Sequence, residues 1–291
     1  MPELLASSRA APPDEARHRR RSQERHCHSA QTPGSHGCTR RRVLLSTLWG
    51  GGAGLASAAA AVAEEDFYQR WPLVTPADVL PYLRATAVQG NADSVVAALD
   101  AWSRFYPNYS IGELKGKILD DLVASCSPHV ALEVGSFMGY SAVRTARSLP
   151  RGGRLLCVEA SPANAAVVRS VVDYAGLGSR VEVLTGLSGD VMPRIASWIG
   201  PGGSDWVFLD HCKPCLLPDT LRMEALGIIR HGTCLVADNV IYPGAPDYLQ
   251  HVGDPRLYDT RLVECDFEYS TTWREGFSAK KRDAISVSIR H

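Results

Sequence analysis

From residue 129 to residue 252 the chain alternates between two hydrophobic periods. Short apolar runs at 129–134, 154–159, 180–185, 205–209 and 232–237 have the length of strands buried on both faces. Helical spacing fills the gaps, at about 139–148, 162–175, 188–198, 217–228 and 245–252. A repeated βα unit predicts an α/β fold with a mostly parallel, doubly wound sheet covered on both faces. The tail breaks this rhythm. Residues 257–269 and 283–289 are extended segments joined by the polar loop Ser270 to Lys281, which predicts an antiparallel addition at the sheet edge. Upstream, 76–90, 91–105 and 113–126 have helical spacing. Val95, Val96, Leu99 and Trp102 form one stripe, with Asn91 or Asp93 as its cap; Leu114, Ile118, Leu122 and Val123 form another. There is no internal repeat, and a single domain is expected from 67 to 291.

The first 66 residues have a different character. Residues 1–42 carry nine Arg against four acids, with almost no apolar periodicity, a composition too polar to build a core. Arg40, Arg41 and Arg42 then lead into an uncharged stretch, 43–63, that ends in Ala61-Val62-Ala63. A basic region, an apolar region and a small-x-small site together predict a targeting signal, twin-arginine-like, with a mature N-terminus near Glu64. The long basic preface suits a two-stage import, such as plastid then thylakoid, or simple export. The alternative is a retained anchor, because 21 residues can span roughly 30 Å of hydrocarbon. Either way, 40–63 points to export machinery or a membrane.

Beyond residue 63 the chain holds 22 basic and 27 acidic groups, which leaves no electrostatic footprint for nucleic acid. The eight cysteines are scattered, unlike a disulfide framework. Cys212 and Cys215 nevertheless make a Cys-x-x-Cys around Lys213. Read as coincidence it has no consequence; read as a redox pair, its disulfide would displace Lys213.

The candidate chemistry lies at strand ends. Trp206-Val207-Phe208-Leu209 runs into Asp210-His211-Cys212-Lys213, and Cys234-Leu235-Val236-Ala237 runs into Asp238-Asn239. Open α/β sheets bind ligands just beyond the carboxyl ends of their strands, so hard oxygen donors and an amine would share one rim. The first strand ends in Glu133-Val134-Gly135-Ser136-Phe137-Met138-Gly139, a glycine turn before a helix, without G-x-G-x-x-G spacing. An acid in this turn disfavours pyrophosphate and suits a cationic ligand. Glu159, ending the second strand, suits two ribose hydroxyls. Together the two acids fit S-adenosylmethionine, with Ser188 at the adenine edge.

From Asn91 to about Tyr269 the sequence resembles the catechol O-methyltransferases. The matching motifs are Gly116-Lys117, Leu132-Glu133-Val134-Gly135 with Gly139-Tyr140-Ser141-Ala142-Val143-Arg144, Phe208-Leu209-Asp210-His211-x-Lys213, Leu217-Pro218-Asp219-Thr220-Leu221, and Ala237-Asp238-Asn239-Val240-Ile241-x-Pro243-Gly244-Ala245-Pro246-Asp247. The resemblance implies a Rossmann-like class I methyltransferase. Mg²⁺ would be held by Asp210, Asp238 and Asn239, with Lys213 as general base. Glu268 would bind the second catechol hydroxyl, alongside Lys213 and Asn239. Ile111, Glu133, Gly135, Ser141, Glu159, Ala160, Ser188 and Asp210 would contact S-adenosylmethionine. A related phenylpropanoid-CoA-type enzyme, or a methyltransferase-like binding module, is the alternative.

Three departures from the family bear on substrate. Pro107, Asn108 and Tyr109 replace an aromatic and a methionine, which leaves Tyr106 or Tyr109 as the lid. Cys212 replaces a tryptophan beside the base, so a wider pocket is expected. The loop Ser270 to Lys281 is longer than its counterpart and would favour a substrate larger than a simple catecholamine.

Overall fold

The computed structural model describes residues 75–106, 108–267 and 282–291. Three helices lead: α1 (Val79–Thr86), α2 (Ala92–Phe105) and α3 (Gly112–Cys126). The alternating part follows as β1 (Val130–Val134), α4 (Tyr140–Ser148), β2 (Arg154–Glu159), α5 (Pro162–Tyr174), β3 (Val181–Thr185), α6 (Ser188–Ile199), β4 (Trp206–Leu209), α7 (Leu216–Ala225), β5 (Cys234–Ala237) and α8 (Pro246–Val252). Strands β6 (Tyr258–Asp266) and β7 (Arg282–Arg290) close the chain.

The strands lie in the order β3-β2-β1-β4-β5-β7-β6. All pairs from β3 to β5 are parallel, and β7 runs antiparallel to both β5 and β6. The antiparallel addition is therefore a β6–β7 pair, whose order the hydrophobic pattern could not supply. The C-terminal strand β7 does not take the edge; it lies between β5 and β6, and β6 is outermost. The composition of each strand is consistent with that placement. Residues 284–288 of β7 are all buried, whereas β6 alternates toward solvent, as an edge strand should.

Alternate strand residues feed two cores. Ala131, Leu155, Cys157, Trp206, Phe208 and Val236 pack under α1 to α5. Leu132, Leu156, Val207, Leu209 and Leu235 pack under α6, α7 and α8. Chain order reverses at β1, with β2 on one side and β4 on the other. A crevice opens at such a reversal because the following helices leave on opposite faces of the sheet.

Two helical expectations need correcting. α1 stops at Thr86, where Ala87 turns extended, well short of residue 90. The buried face of α3 is also rotated from the expected one. Leu114 is 61% exposed, while Gly112, Lys115, Gly116, Leu119, Leu122 and Val123 point inward. The cap of α2 is Asn91, whose Oδ1 accepts from the Ser94 N–H at 3.0 Å. Among the described residues no helix is long and apolar enough to cross a membrane. Residues 40–63, the expected cleavage site and the loop Ser270 to Lys281 lie outside the described residues.

Candidate functional site

Four strand ends line up at and beside the reversal. Val134 pairs with Val158 and with Leu209, and Leu209 pairs with Ala237. Gly135, Glu159, Asp210 and Asp238 therefore step off the sheet at one level. Gly135 has φ 92, and a Cβ there would lie 2.3 Å from the Asp210 carbonyl oxygen. Only glycine lets the β1 turn pass this close to the end of β4.

On the β1–β2 side, Glu133 is fully buried, and its Oε1 accepts from the Ser141 hydroxyl at 3.1 Å. Its Oε2 is buried with no hydrogen-bond partner. Burial pushes the Glu133 carboxyl up to about 8, with the charges of Asp210 and Glu159 adding to the rise. Glu159 accepts from the backbone N–H of Phe137 and of Ser161, each at 2.9 Å, which ties the glycine turn to the end of β2. Each of its oxygens keeps a further lone pair for a hydroxyl. Ala160 follows directly at the bend. Ile111 is buried at the start of α3.

Tyr109 is 73% exposed and meets Phe137 of the Gly135 turn edge-on at 5.9 Å between ring centroids. Tyr106 instead packs on Trp102 at 4.3 Å, beside the core. Of the two candidate lids, only Tyr109 is in place to cover a ligand at the turn.

Ser188 begins α6, but its hydroxyl donates to Asp219 Oδ2, the oxygen that also meets His211 Nε2 at 2.9 Å. Burial opposes charge on Asp219, yet the His211 ring and the Ser188 hydroxyl hold its carboxyl below the usual range. His211 Nδ1 is buried with no hydrogen-bond partner. His211 and Asp219 thus belong to the rim. Both were visible as motif letters, but nothing in their spacing gave them a role.

On the β4–β5 side, Lys213 Nζ donates to Asp210 Oδ1 at 3.2 Å and to the Asp238 carbonyl at 3.0 Å. Cys212 and Cys215 form a disulfide across a 3-10 turn, Lys213–Cys215. Lys213 keeps its contacts with this bond closed, so the expected displacement of the lysine does not occur. Burial pushes the Asp210 carboxyl up; Lys213 opposes the rise and Asp238 adds to it.

Asp238 is buried, and neither of its carboxylate oxygens makes a hydrogen bond of normal geometry. Its Oδ1 is 2.7 Å from Lys115 Nζ, an ion pair in which both side chains are 1% exposed. Lys115 Nζ also donates to Asp283 Oδ2 at 2.6 Å. Burial works against charge on Asp283, but Lys115 outweighs it and holds the carboxyl below its usual value. Asn239 starts the turn Val240–Gly244 with φ 58. Lys115 and Asp283 were missed from the sequence. The signal was a lysine at the centre of an otherwise buried helical face, legible only once that face was correctly placed.

Among the described residues no three His, Cys, Asp or Glu side chains gather into a metal cluster. Two carboxylates and one amide nevertheless form a set of hard oxygen donors, and Asp238 Oδ2, buried with no hydrogen bond, is the kind of atom a hard divalent cation satisfies. The residues fit such an ion. Tyr242 and Phe267 meet edge-on at 5.0 Å beside Lys115 and form an aromatic wall. Glu268, next in the chain, lies outside the described residues.

A family model described as O-methyltransferase matches residues 97–257. The chain is 41% identical over 196 residues to catechol O-methyltransferase B of Danio rerio, covering 67% of this chain and 74% of that protein. It is 42% identical over 193 residues to catechol O-methyltransferase of Bos taurus, covering 66% and 71%. In fold it resembles an O-methyltransferase from Bacillus cereus solved in complex with SAH, with a TM-score of 0.57 at 23% identity, over 74% of this chain and 97% of that one.

Proposed function

The chain belongs to the O-methyltransferase family as an S-adenosylmethionine-dependent enzyme, and on that premise we propose that it methylates one hydroxyl of a catechol with the help of Mg²⁺. The observation that carries the proposal is the convergence of Asp210, Asp238, Asn239 and the Lys213 amine at adjoining ends of β4 and β5, beside the Gly135 turn.

Donor binding falls to the β1–β2 side. Glu133 takes the positive end of S-adenosylmethionine, and Glu159 its ribose hydroxyls. Gly135, Ser141, Ile111 and Ala160 shape the walls between them. Ser188 and His211 stand at the adenine end, and Tyr109 covers the turn. Asp210 belongs to both halves, since it follows β4 directly beside Gly135 and contacts Lys213.

Acceptor binding falls to the β4–β5 side. Asp210, Asp238 and Asn239 hold the Mg²⁺, which supplies charge that acidifies and orients a vicinal diol. Lys213 takes the hydroxyl proton at Nζ, and its two fixed contacts at the rim set the direction from which it does so. Glu268 receives the second hydroxyl. The remaining contribution is proximity: two substrates held so that oxygen meets the methyl carbon in line with the departing sulfur. Cys212 in place of a bulky aromatic supports a broad acceptor pocket.

A labelled-methyl transfer assay on a panel of catechols, with and without EDTA, tests this reading. Turnover that EDTA abolishes and Mg²⁺ restores is expected. Turnover indifferent to EDTA overturns the metal assignment. Turnover confined to a CoA thioester selects the phenylpropanoid-CoA type instead, and donor binding without any turnover selects a binding module.

A further inference from the structure

The proposed centre uses Asn239 as an amide ligand, and an amide has two unlike ends. Its oxygen can meet a cation; its NH2 group cannot. Some neighbour must decide which end faces the site.

In this fold the neighbour comes from the far end of the chain. Ala237 pairs with Ser286, so the antiparallel register carries Asp283 past the end of β5, over the turn that Asn239 begins. Asp283 Oδ2 accepts from Asn239 Nδ2 at 2.9 Å, across 44 residues of sequence. Its Oδ1 accepts from the backbone N–H groups of Ile241 at 3.2 Å and Tyr242 at 2.9 Å. Lys115 Nζ joins Oδ2 at 2.6 Å and reaches Asp238 Oδ1 at 2.7 Å with the same ammonium.

An ionised carboxylate only accepts, so the side of Asn239 that touches Asp283 has to be its NH2 end, and the amide oxygen is left for the other side. We infer that Asp283 is a positioning residue, which together with Lys115 presents the Asn239 amide oxygen, and the Asp238 carboxylate beside it, to a divalent cation. The inference rests on the metal centre proposed above. It assigns to a buried pair remote in sequence the role that outer hydrogen bonds play around metal ligands generally, where their loss costs about 10–100-fold in affinity.

A purely structural role is the competing account, because Asp283 also pins the turn through Ile241 and Tyr242. A swap of side chains separates the two. Mn²⁺ alone serves as the probe, with free Mn²⁺ measured by electron paramagnetic resonance on the full chain. S-adenosylhomocysteine affinity reports the integrity of the donor side. Asp283→Asn should weaken Mn²⁺ binding about tenfold or more, with S-adenosylhomocysteine affinity within about twofold of the parent. The substituted amide turns an NH2 group toward Asn239, which can accept from it only by swinging its own NH2 group toward the cation. Adding Asn239→Asp to Asp283→Asn should return Mn²⁺ affinity to within about threefold of the parent, because a carboxylate offers an oxygen on either side.

Unchanged Mn²⁺ affinity in Asp283→Asn overturns the inference. So does a double variant that binds Mn²⁺ no better than the single one, the result expected if Asp283 only pins the turn. Should the single variant also lose S-adenosylhomocysteine, the double variant decides alone. A parent protein that binds no Mn²⁺ overturns the metal centre itself, and the inference with it.

Discussion

Glu133 and Asp283 are both buried carboxylates at the rim of one sheet, and the fold treats their charge in opposite ways. At the end of β1 Glu133 has a hydroxyl for company and two acids nearby, and burial holds it neutral up to about pH 8. Beside β5, Asp283 is likewise buried, yet Lys115 and three N–H donors keep it ionised. The difference is the presence of a cation supplied by the chain itself. Around Asp283 the chain supplies a counter-charge of its own in Lys115. Glu133 gains from charge only when a cationic ligand brings the partner, which is what a sulfonium donor would do.

The largest test of this contrast removes the built-in cation. Lys115→Met leaves Asp238 and Asp283 without their shared ammonium, and the loss should be about 3–5 kcal/mol in urea unfolding near neutral pH. The sign of its pH dependence is fixed. In the parent, Asp283 is held below its ordinary value, so its contribution is present above that value and fades as pH falls through the lowered one. In the variant Asp283 loses the cation that outweighs its burial, so the deficit should shrink toward pH 5. A deficit independent of pH would mean that Lys115 matters only as packing.

At Glu133 the sign reverses. The folded chain keeps a proton that the unfolded chain releases near 4.5, so stability is fully present below that pH and falls as pH rises through about 8. The slope should approach about 1.4 kcal/mol per pH unit, and Glu133→Gln should remove it. Donor affinity should run the other way, rising up to about tenfold per unit from pH 6 to 8, with proton release on binding. Calorimetry in two buffers of different ionisation enthalpy would measure that release. A donor affinity as steep in Glu133→Gln as in the parent would place the cation elsewhere.

The smallest effect concerns the cross-link at Lys213. Opening the Cys212–Cys215 bond by reduction, or by Cys212→Ser with Cys215→Ser, frees the turn that holds the amine on Asp210. We expect kcat to fall about 2–10-fold with donor affinity unchanged if Lys213 is the base proposed above, since only its orientation is loosened. A rise in kcat on reduction would show that the closed bond restrains the lysine rather than positions it.

Much of the fold was legible in the sequence because each strand is short, apolar and buried on both faces. The parallel strands and the helices after them fall within about two residues of their expected positions, the uncertainty usual at element ends, except that α7 stops at Ala225, three residues early. Strand ends also pointed to the rim, and the structure brings Gly135, Glu159, Asp210, Lys213 and Asp238 together there. The errors arose where a polar residue was buried. Hydrophobic spacing turns Leu114 of α3 inward; the structure turns Lys115 inward instead, because Asp238, just after β5, and Asp283 of β7 await that ammonium. Hydrophobic periodicity cannot register such a residue, since its burial depends on partners far along the chain. The same applies to Tyr106 and Tyr109, which are alike in the sequence and differ only in what lies beneath them.

By itself, then, the sequence determined the alternation of strands and helices, the acids and amine at the strand ends, and the family to which they belong. These are local properties: periodicity, turn residues and motif spacing. Tertiary structure alone decided that β7 passes inside β6, that Lys115 joins Asp238 to Asp283, and that a closed disulfide leaves Lys213 on Asp210. Each of these depends on which distant segments share a buried site, and there the charge of one residue is set by a neighbour that the intervening chain does not reveal.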